Sequence, residues 1–406
     1  MIEFPRNFLW GAATAAHQVE GNNTNSDWWR WEKGSGLEEA SGAACRHYEL
    51  YQEDFALAKN LGHNAHRFSI EWSRIEPRPG EFDEEALKHY RDVIWALRER
   101  NIEPIVTLHH FTNPIWFAEK GGWLCHKAPQ YFQAYVSKVV ETVCDLVHYW
   151  ITINEPMVVV YYCYISGVWP PHKKSFFKQR KATAHLIDAH IEAYDCIHAI
   201  YERRRLYVPM VSIAKHFRAF VPCRRTLRNK WSVYLRDKLF NRDFIEALLD
   251  RGALDFLGVN YYTRTSVDLE GWGLKPFLLA ECNTGCDPRP QSSLGWDIYP
   301  EGLYDILLRL AQYNYSLFIL ENGISVADDT VRWHYIAEHL KSVNCAMTQG
   351  VRILGYLYWS LIDNFEWDKG FGHRFGIIEV DYQTFKRTIR ASGYKFAQVC
   401  RTGKLE

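Results

Sequence analysis

Two carboxylates stand at the ends of apolar runs. In "YWITINE" (149–155) the stretch Trp150-Ile151-Thr152-Ile153 stops at Asn154-Glu155 and is closed by Pro156. In "SLFILEN" (316–322) a second run stops at Glu321-Asn322. Each run suits a buried strand. If those strands face one another, the two carboxyls meet across a cleft, as glycosidic-bond cleavage requires. One gives a proton to the leaving oxygen while the other attacks the anomeric carbon or activates water. Proximity pushes their pKa values apart, so one stays protonated while the other is ionised. Each motif alone has a plainer reading. Asn154-Glu155-Pro156 could be a strand exit with Glu155 capping the next helix, and Glu321-Asn322-Gly323 could be a turn.

The elements that must position them are legible as further apolar runs. These are "FLWGAA" (8–13), "NAHRFSI" (64–70), "EPIVTLHH" (103–110), "VPMVSIA" (208–214), "DFLGVNYY" (255–262) and "ILGYLYWS" (353–360). Amphipathic stretches separate them. "FDEEALKHYRDVIWALRERN" puts Ala86, Tyr90, Val93, Ile94 and Leu97 at helical spacing, with acids early and bases late. Eight strand–helix alternations without a linker predict an α/β fold: a single (β/α)8 barrel domain over residues 1–406. Its chemistry belongs at the C-terminal ends of the strands. The runs end in Arg67, His109-His110, Asn154-Glu155, Asn260 with Tyr261-Tyr262, Glu321-Asn322 and Trp359, and Gln18 follows the first. Glu155 and Glu321 then fall on the fourth and seventh strands. Arg67 and a tyrosine of "NYY" could hold Glu321 ionised, and Asn154 could bond a sugar hydroxyl. The 16 Trp, 24 Tyr and 22 Phe suit pyranose C–H faces.

Composition excludes other classes. Net charge is +0 with a pI of about 7.3, which predicts no attraction to nucleic acid or acidic membranes. The basic clusters "ERRR" (202–205) and "CRRTLRNK" (223–230) read as solvated faces. No signal peptide and no membrane span are expected. The ten cysteines include no CxxC pair, and Cys282 and Cys286 lack a second ligand pair. Reduced thiols in a cytoplasmic protein are therefore expected, with Cys144, Cys163 and Cys196 packing in apolar surroundings. His109-His110 has no third ligand, and His334 and His339 would not share a helix face, so no metal or cofactor is expected.

In several separate blocks the chain resembles glycoside hydrolase family 1, the β-glucosidase-type family. They are "FPRNFLWGAATAAHQVEG", "HRFSIEWSRIEPRPGEFDEEALKHYRDVI", "ITINEP", "ILENG", "GWDIYPEGLYDIL" and "YWSLIDNFEWDKGFGHRFGIIEVDY". The resemblance covers most of the chain and implies hydrolysis of small β-glycosides with retention, without metal or cofactor. Carried over by position, it implies Glu155 as acid/base and Glu321 as nucleophile. It implies a sugar pocket of Gln18, His110, Asn154, Glu366 and Trp367 over a Trp359 platform, supported by Arg67, Asn260 and Tyr262. Glu366 in "NFEW" would set a carboxylate against a phosphate, which rejects a 6-phosphosugar. Trp169 and Trp296 are the candidates on the leaving-group side.

Departures are Phe111 for Trp, Leu320 for Thr, and "GVWPPHKK" (167–174) near the leaving group. The chain is also shorter than typical members around the fifth and sixth β/α units. A missing outer helix would uncover apolar barrel surface, inviting a partner or a homo-oligomer. A catalytically impaired sugar-binding protein and a transglycosylase are the alternative functions.

Overall fold

A computed structural model gives the fold and describes residues 2–34, 37–269 and 287–406. Eight parallel strands close into a barrel in chain order. They are β1 (Leu9–Ala13), β2 (Ala65–Ser69), β3 (Glu103–His109), β4 (Tyr149–Asn154), β5 (Met210–Pro222), β6 (Leu257–Val267), β7 (Leu317–Asn322) and β8 (Ile353–Trp359). The ring closes where Leu9 to Ala13 register against Gly355 to Trp359. Every run singled out in the sequence is a barrel strand.

Two apolar layers explain why these runs carry little polarity. Ala65, Ile105, Ile151, Ala214, Phe318, Leu320 and Leu357 fill the barrel interior as a cluster of their own. Side chains such as Trp10, Phe68, Val106, Trp150 and Val259 join the larger core under the helices. Strands buried on both faces read as continuous apolar runs. Leu320 has room because Gly258 faces it: a Cβ there would lie 2.6 Å from Leu320 Cδ1 and 2.2 Å from Ile213 O.

Each strand is followed by an outer helix: α1 (His47–Asn60), α2 (Glu84–Glu99), α3 (Ala128–Val143), α4 (Phe176–Arg203), α5 (Leu227–Arg236), α6 (Pro300–Ala311), α7 (Asp329–Thr348) and α8 (Ala391–Thr402). α2 shows why its sequence is helical. Asp83 caps the amides of Glu85 and Ala86, and Ala86, Tyr90, Val93, Ile94 and Leu97 are all buried.

The fifth unit corrects one expectation. α5 continues through a π-helical turn, Asp237–Arg242, into Asp243–Leu249, which buries Phe244, Ile245 and Leu248. The outer helix is present, and the barrel surface beneath it is covered. β5 and β6 are also longer than their apolar runs, pairing on through Pro222 and Val267. Cys282 and Cys286 lie outside the described residues. Among the described residues seven cysteines are free, but Cys223 is disulfide-bonded, against the expectation of reduced thiols throughout.

Candidate active site

Glu155 and Glu321 meet at the C-terminal mouth of the barrel, and irregular strand register brings their partners into line. The β6–β7 ladder shifts between Val259 and Asn260, which sets Asn260 opposite Glu321. The β4–β5 ladder shifts between Ile151 and Asn154. Such irregularities re-aim side chains at functional sites.

The plain reading of Glu155 as a helix cap fails. It precedes the short helix Pro156–Val160 with φ 46°, and its side chain makes no capping bond. Oε1 instead accepts from Asn260 Nδ2 (2.8 Å) and His216 Nδ1 (3.2 Å). Oε2 has no hydrogen-bond partner among the described residues. A non-glycine residue in the left-handed region is a strain that the surroundings must hold in place.

Glu321 is held on both oxygens. Arg67 Nη1 donates to Oε1 and the Tyr262 hydroxyl to Oε2. Arg67 is fixed in turn by bonds from Nε to Thr107 Oγ1 (2.9 Å) and from Nη2 to Asn154 Oδ1 (2.8 Å). Asn154 Oδ1 also accepts from Asn260 Nδ2 (3.1 Å), so the two carboxylates share one network. The turn reading of "ENG" fails as well. Asn322 is a buried strut bonded to Tyr261 O, Tyr335 and Tyr356. Gly323 is required because a Cβ would lie 1.8 Å from Trp359 O.

The proton follows from the same contacts. Burial and the Glu155 charge push Glu321 up to about 7 against the pull of Arg67 and Tyr262. Burial also opposes charge on Glu155, but a charged His216, its hydrogen bond and that of Asn260 pull it down. His216 is not charged at neutral pH, because burial pushes it below its usual value. Arg218 Nε also donates to its Nε2 (3.4 Å), and an arginine can only donate. The imidazole is therefore neutral and carries its hydrogen on Nδ1. With that cation gone, Arg67 is the charge that decides, and it sits on Glu321. That contact favours charge on Glu321 over Glu155, against the directions set by burial and by a charged His216.

The residues expected to line a sugar pocket come together beside this pair. Gln18 Nε2 donates to Phe365 O (2.8 Å), Asn364 Oδ1 (3.0 Å) and Glu366 Oε2 (3.3 Å). Its Oε1 is buried without a partner, as are His110 Nδ1 and Asn260 Oδ1. Unpaired buried polar atoms are costly, and at a mouth they suit ligand hydroxyls. His110 Nε2 bonds Asn154 Nδ2 (3.1 Å) and its ring lies near-parallel to Trp359 and Trp367, at 5.9 and 6.1 Å. Burial, then the charges of Glu321, Asp368 and Glu155, push Glu366 up to about 8. Phe111 packs against Trp367 at 5.0 Å and fills the wall behind it.

The leaving-group candidates separate. Trp296 is half-buried against Tyr262 (5.6 Å) and Phe375 (6.2 Å), beside the reacting centre. Trp169 is 5% exposed, stacks on Tyr162 and bonds Asp368 through its indole N–H. It supports Trp367 from behind rather than lining an open entrance. His109 belongs to the core, bonded to Asn113 and packed on Trp123. No cluster of three or more metal-ligating side chains occurs among the described residues.

The sequence of glycosyl hydrolase family 1 matches this chain over residues 1–252 and 237–405. The chain belongs to that family. It is 31% identical to "Beta-glucosidase A" of Thermotoga maritima, over 100% of this chain and 99% of that one. It is 30% identical to a "Beta-galactosidase" of Pyrococcus woesei, over 95% and 94%. The structure of a β-glycosidase from Pyrococcus horikoshii superposes with a TM-score of 0.91 at 38% identity, covering 100% of this chain and 96% of that one. As a family 1 member, the protein is a glycoside hydrolase built on the family's barrel.

One site residue escaped the sequence reading. His216 was missed because the apolar run ends at Ala214, whereas β5 continues through Lys215-His216. The tract "AKHFRAF" breaks alternation at the adjacent Lys215 and His216, so its sequence carried no clean strand signal across His216.

Proposed function

We propose that the protein is a retaining β-glycosidase that removes terminal non-reducing β-D-glucosyl residues and also accepts β-galactosides and β-fucosides. The observation that carries this is the unequal bonding of the two acids. Glu321, with both oxygens accepting, is the ionised nucleophile. Glu155, with Oε2 unbonded, is the proton donor. Glu321 attacks the anomeric carbon as Glu155 protonates the departing oxygen. Glu155, now a carboxylate, takes a proton from the water that cleaves the glycosyl ester, which regenerates both groups.

Asn154, His110, Gln18 and Glu366 would hold the sugar hydroxyls over Trp359. The relatives' names, "Beta-glucosidase A" and "Beta-galactosidase", support that substrate range. A sugar-binding protein without turnover would not need a proton donor beside a doubly held carboxylate. A cytoplasmic setting fits the seven free cysteines among the described residues and is opposed by the disulfide at Cys223. No helix among the described residues is long and apolar enough to cross a membrane.

The test is proton NMR of the first product from nitrophenyl β-glucoside. β-Glucose should appear first and mutarotate afterwards. Initial α-glucose would replace the covalent route with direct attack by water.

A further inference from the structure

A net charge of zero conceals a segregated one. Residues 172–181, "HKKSFFKQRK", contain five Lys or Arg and no acid, and so do residues 223–236, "CRRTLRNKWSVYLR". The first segment leads from β4 into α4, and the second from β5 into α5. β4 and β5 are neighbours in the barrel. Both segments therefore lie side by side at the strands' C-terminal end, on the face that carries the mouth.

The same two segments expose large apolar side chains. Phe176 and Phe177 are 62% and 83% exposed, and Leu227, Trp231 and Tyr234 are 76%, 63% and 50% exposed. Positions 227, 231 and 234 share one helical face. α5 is inverted relative to an ordinary outer helix, because the residues it buries are Asn229, Ser232 and Arg236. Asn229 explains the inversion. It donates to Arg224 O and Asp268 Oδ1 and accepts from Leu269 N, so a polar latch holds the helix to the end of β6 and the apolar stripe faces outward.

We propose that this face docks on an anionic lipid surface. The aromatic and leucine side chains enter the boundary between headgroups and acyl chains, and the exposed Lys173, Lys174, Lys178, Lys181 and Lys230, with Arg180 and Arg225, lie over the anionic headgroups, whereas Arg224 is paired with Asp268 and Arg236 is buried. An apolar stripe with Trp and Tyr, bordered by basic residues, is the composition of helices that lie in a bilayer interface, and short basic clusters recognise anionic leaflets. Lysine content favours a lipid over a protein partner: lysines are depleted at protein–protein interfaces, and here five of the seven exposed cations just named are Lys. The neutral whole-chain charge, which predicts no attraction to acidic membranes, averages over this asymmetry.

The test is sedimentation of the full chain with vesicles of phosphatidylcholine, alone or mixed with phosphatidylglycerol. Binding is expected to the mixed vesicles and not to phosphatidylcholine alone, and it should fall with added salt. Phe177→Ser with Trp231→Ser, and separately Lys173→Gln with Lys174→Gln and Lys178→Gln, should each lower the bound fraction about tenfold. None of these side chains contacts the site, so unchanged circular dichroism and glucoside turnover would show that the variants are folded. A folded wild type that stays in solution with mixed vesicles overturns the proposal, as does equal binding by the variants. Concentration-dependent dimers in light scattering that disappear in Phe177→Ser with Trp231→Ser would assign the face to a second copy instead.

Discussion

Glu155 and Glu321 have the same side chain, are both buried and both stand at strand ends of the barrel mouth, yet they are held in opposite ways. Glu321 is gripped by a guanidinium on one oxygen and a phenol on the other. Glu155 is gripped on one oxygen by two neutral donors. A carboxyl that must attack needs its charge kept and its direction fixed. One that must give up and recover a proton needs an oxygen left over. The division of labour thus lies in the supporting side chains, and removing those supports should erase it.

The largest effect should come from the acids themselves. Glu321→Gln should lower kcat on nitrophenyl β-glucoside about ten-thousandfold or more, since removing a nucleophile abolishes the covalent route. Glu155→Gln should behave differently with different leaving groups. A poor leaving group should suffer a loss of about a hundredfold to ten-thousandfold, whereas glycosylation from dinitrophenyl β-glucoside, which departs without a proton, should be nearly spared. Steady-state and burst kinetics on both substrates check this. Equal losses for the two substrates in Glu155→Gln would sink the assignment of Glu155 as proton donor.

Arg67→Met tests the grip on Glu321. It leaves a buried carboxylate without its cation, a change that costs about 3–5 kcal/mol. Urea unfolding should show that loss, and the acidic limb of kcat/KM should move to higher pH because Glu321 would hold its proton longer. A variant as stable as the parent would mean that Arg67 does not balance the charge of Glu321.

Glu366 is raised by burial and by its acidic neighbours, to about 8. Between its unfolded value near 4.3 and about 8, the native state binds the extra proton, so stability falls as pH rises through that window. Glu366→Gln removes this group, and the drop in unfolding free energy from pH 5 to 8 should shrink. Identical drops in parent and variant would assign the pH dependence to other groups.

These contrasts show what a linear sequence discloses. The barrel was legible because strands buried on both faces must be apolar. The position of Glu155 and Glu321 at the mouth was legible because a polar residue ending such a run is out of keeping with it. Boundaries were less legible where the reason for a strand is not apolar. β5 carries Lys215, His216 and Arg218 past its apolar run, held there by pairing with β6, so His216 went unseen. The need for Gly323 comes from the close approach of Trp359, a neighbour distant in sequence. Trp169 was assigned to an entrance by its loop, but packing against Tyr162 and Asp368 turns it inward. A missing outer helix was expected because the chain is short between the fifth and sixth strands, whereas α5 is present with an exposed apolar stripe and a buried polar face, the reverse of the pattern that marks an outer helix.

His216 gives the smallest effect and the finest test of the contrast. Its neutral imidazole donates to Glu155 Oε1, which favours the carboxylate over the acid. Removing that donor in His216→Phe should raise the Glu155 pKa by about one unit, the equivalent of one hydrogen bond to a charged group. In the proposed mechanism activity requires Glu155 protonated and Glu321 ionised, so the basic limb of kcat/KM should move up by that amount while the acidic limb stays in place. The maximum rate should fall no more than about tenfold. If both limbs move together, the carboxylates do not titrate as separately held groups, and the shared network through Asn154 and Asn260 would outweigh their individual partners. A downward shift of the basic limb would mean instead that His216 opposes charge on Glu155.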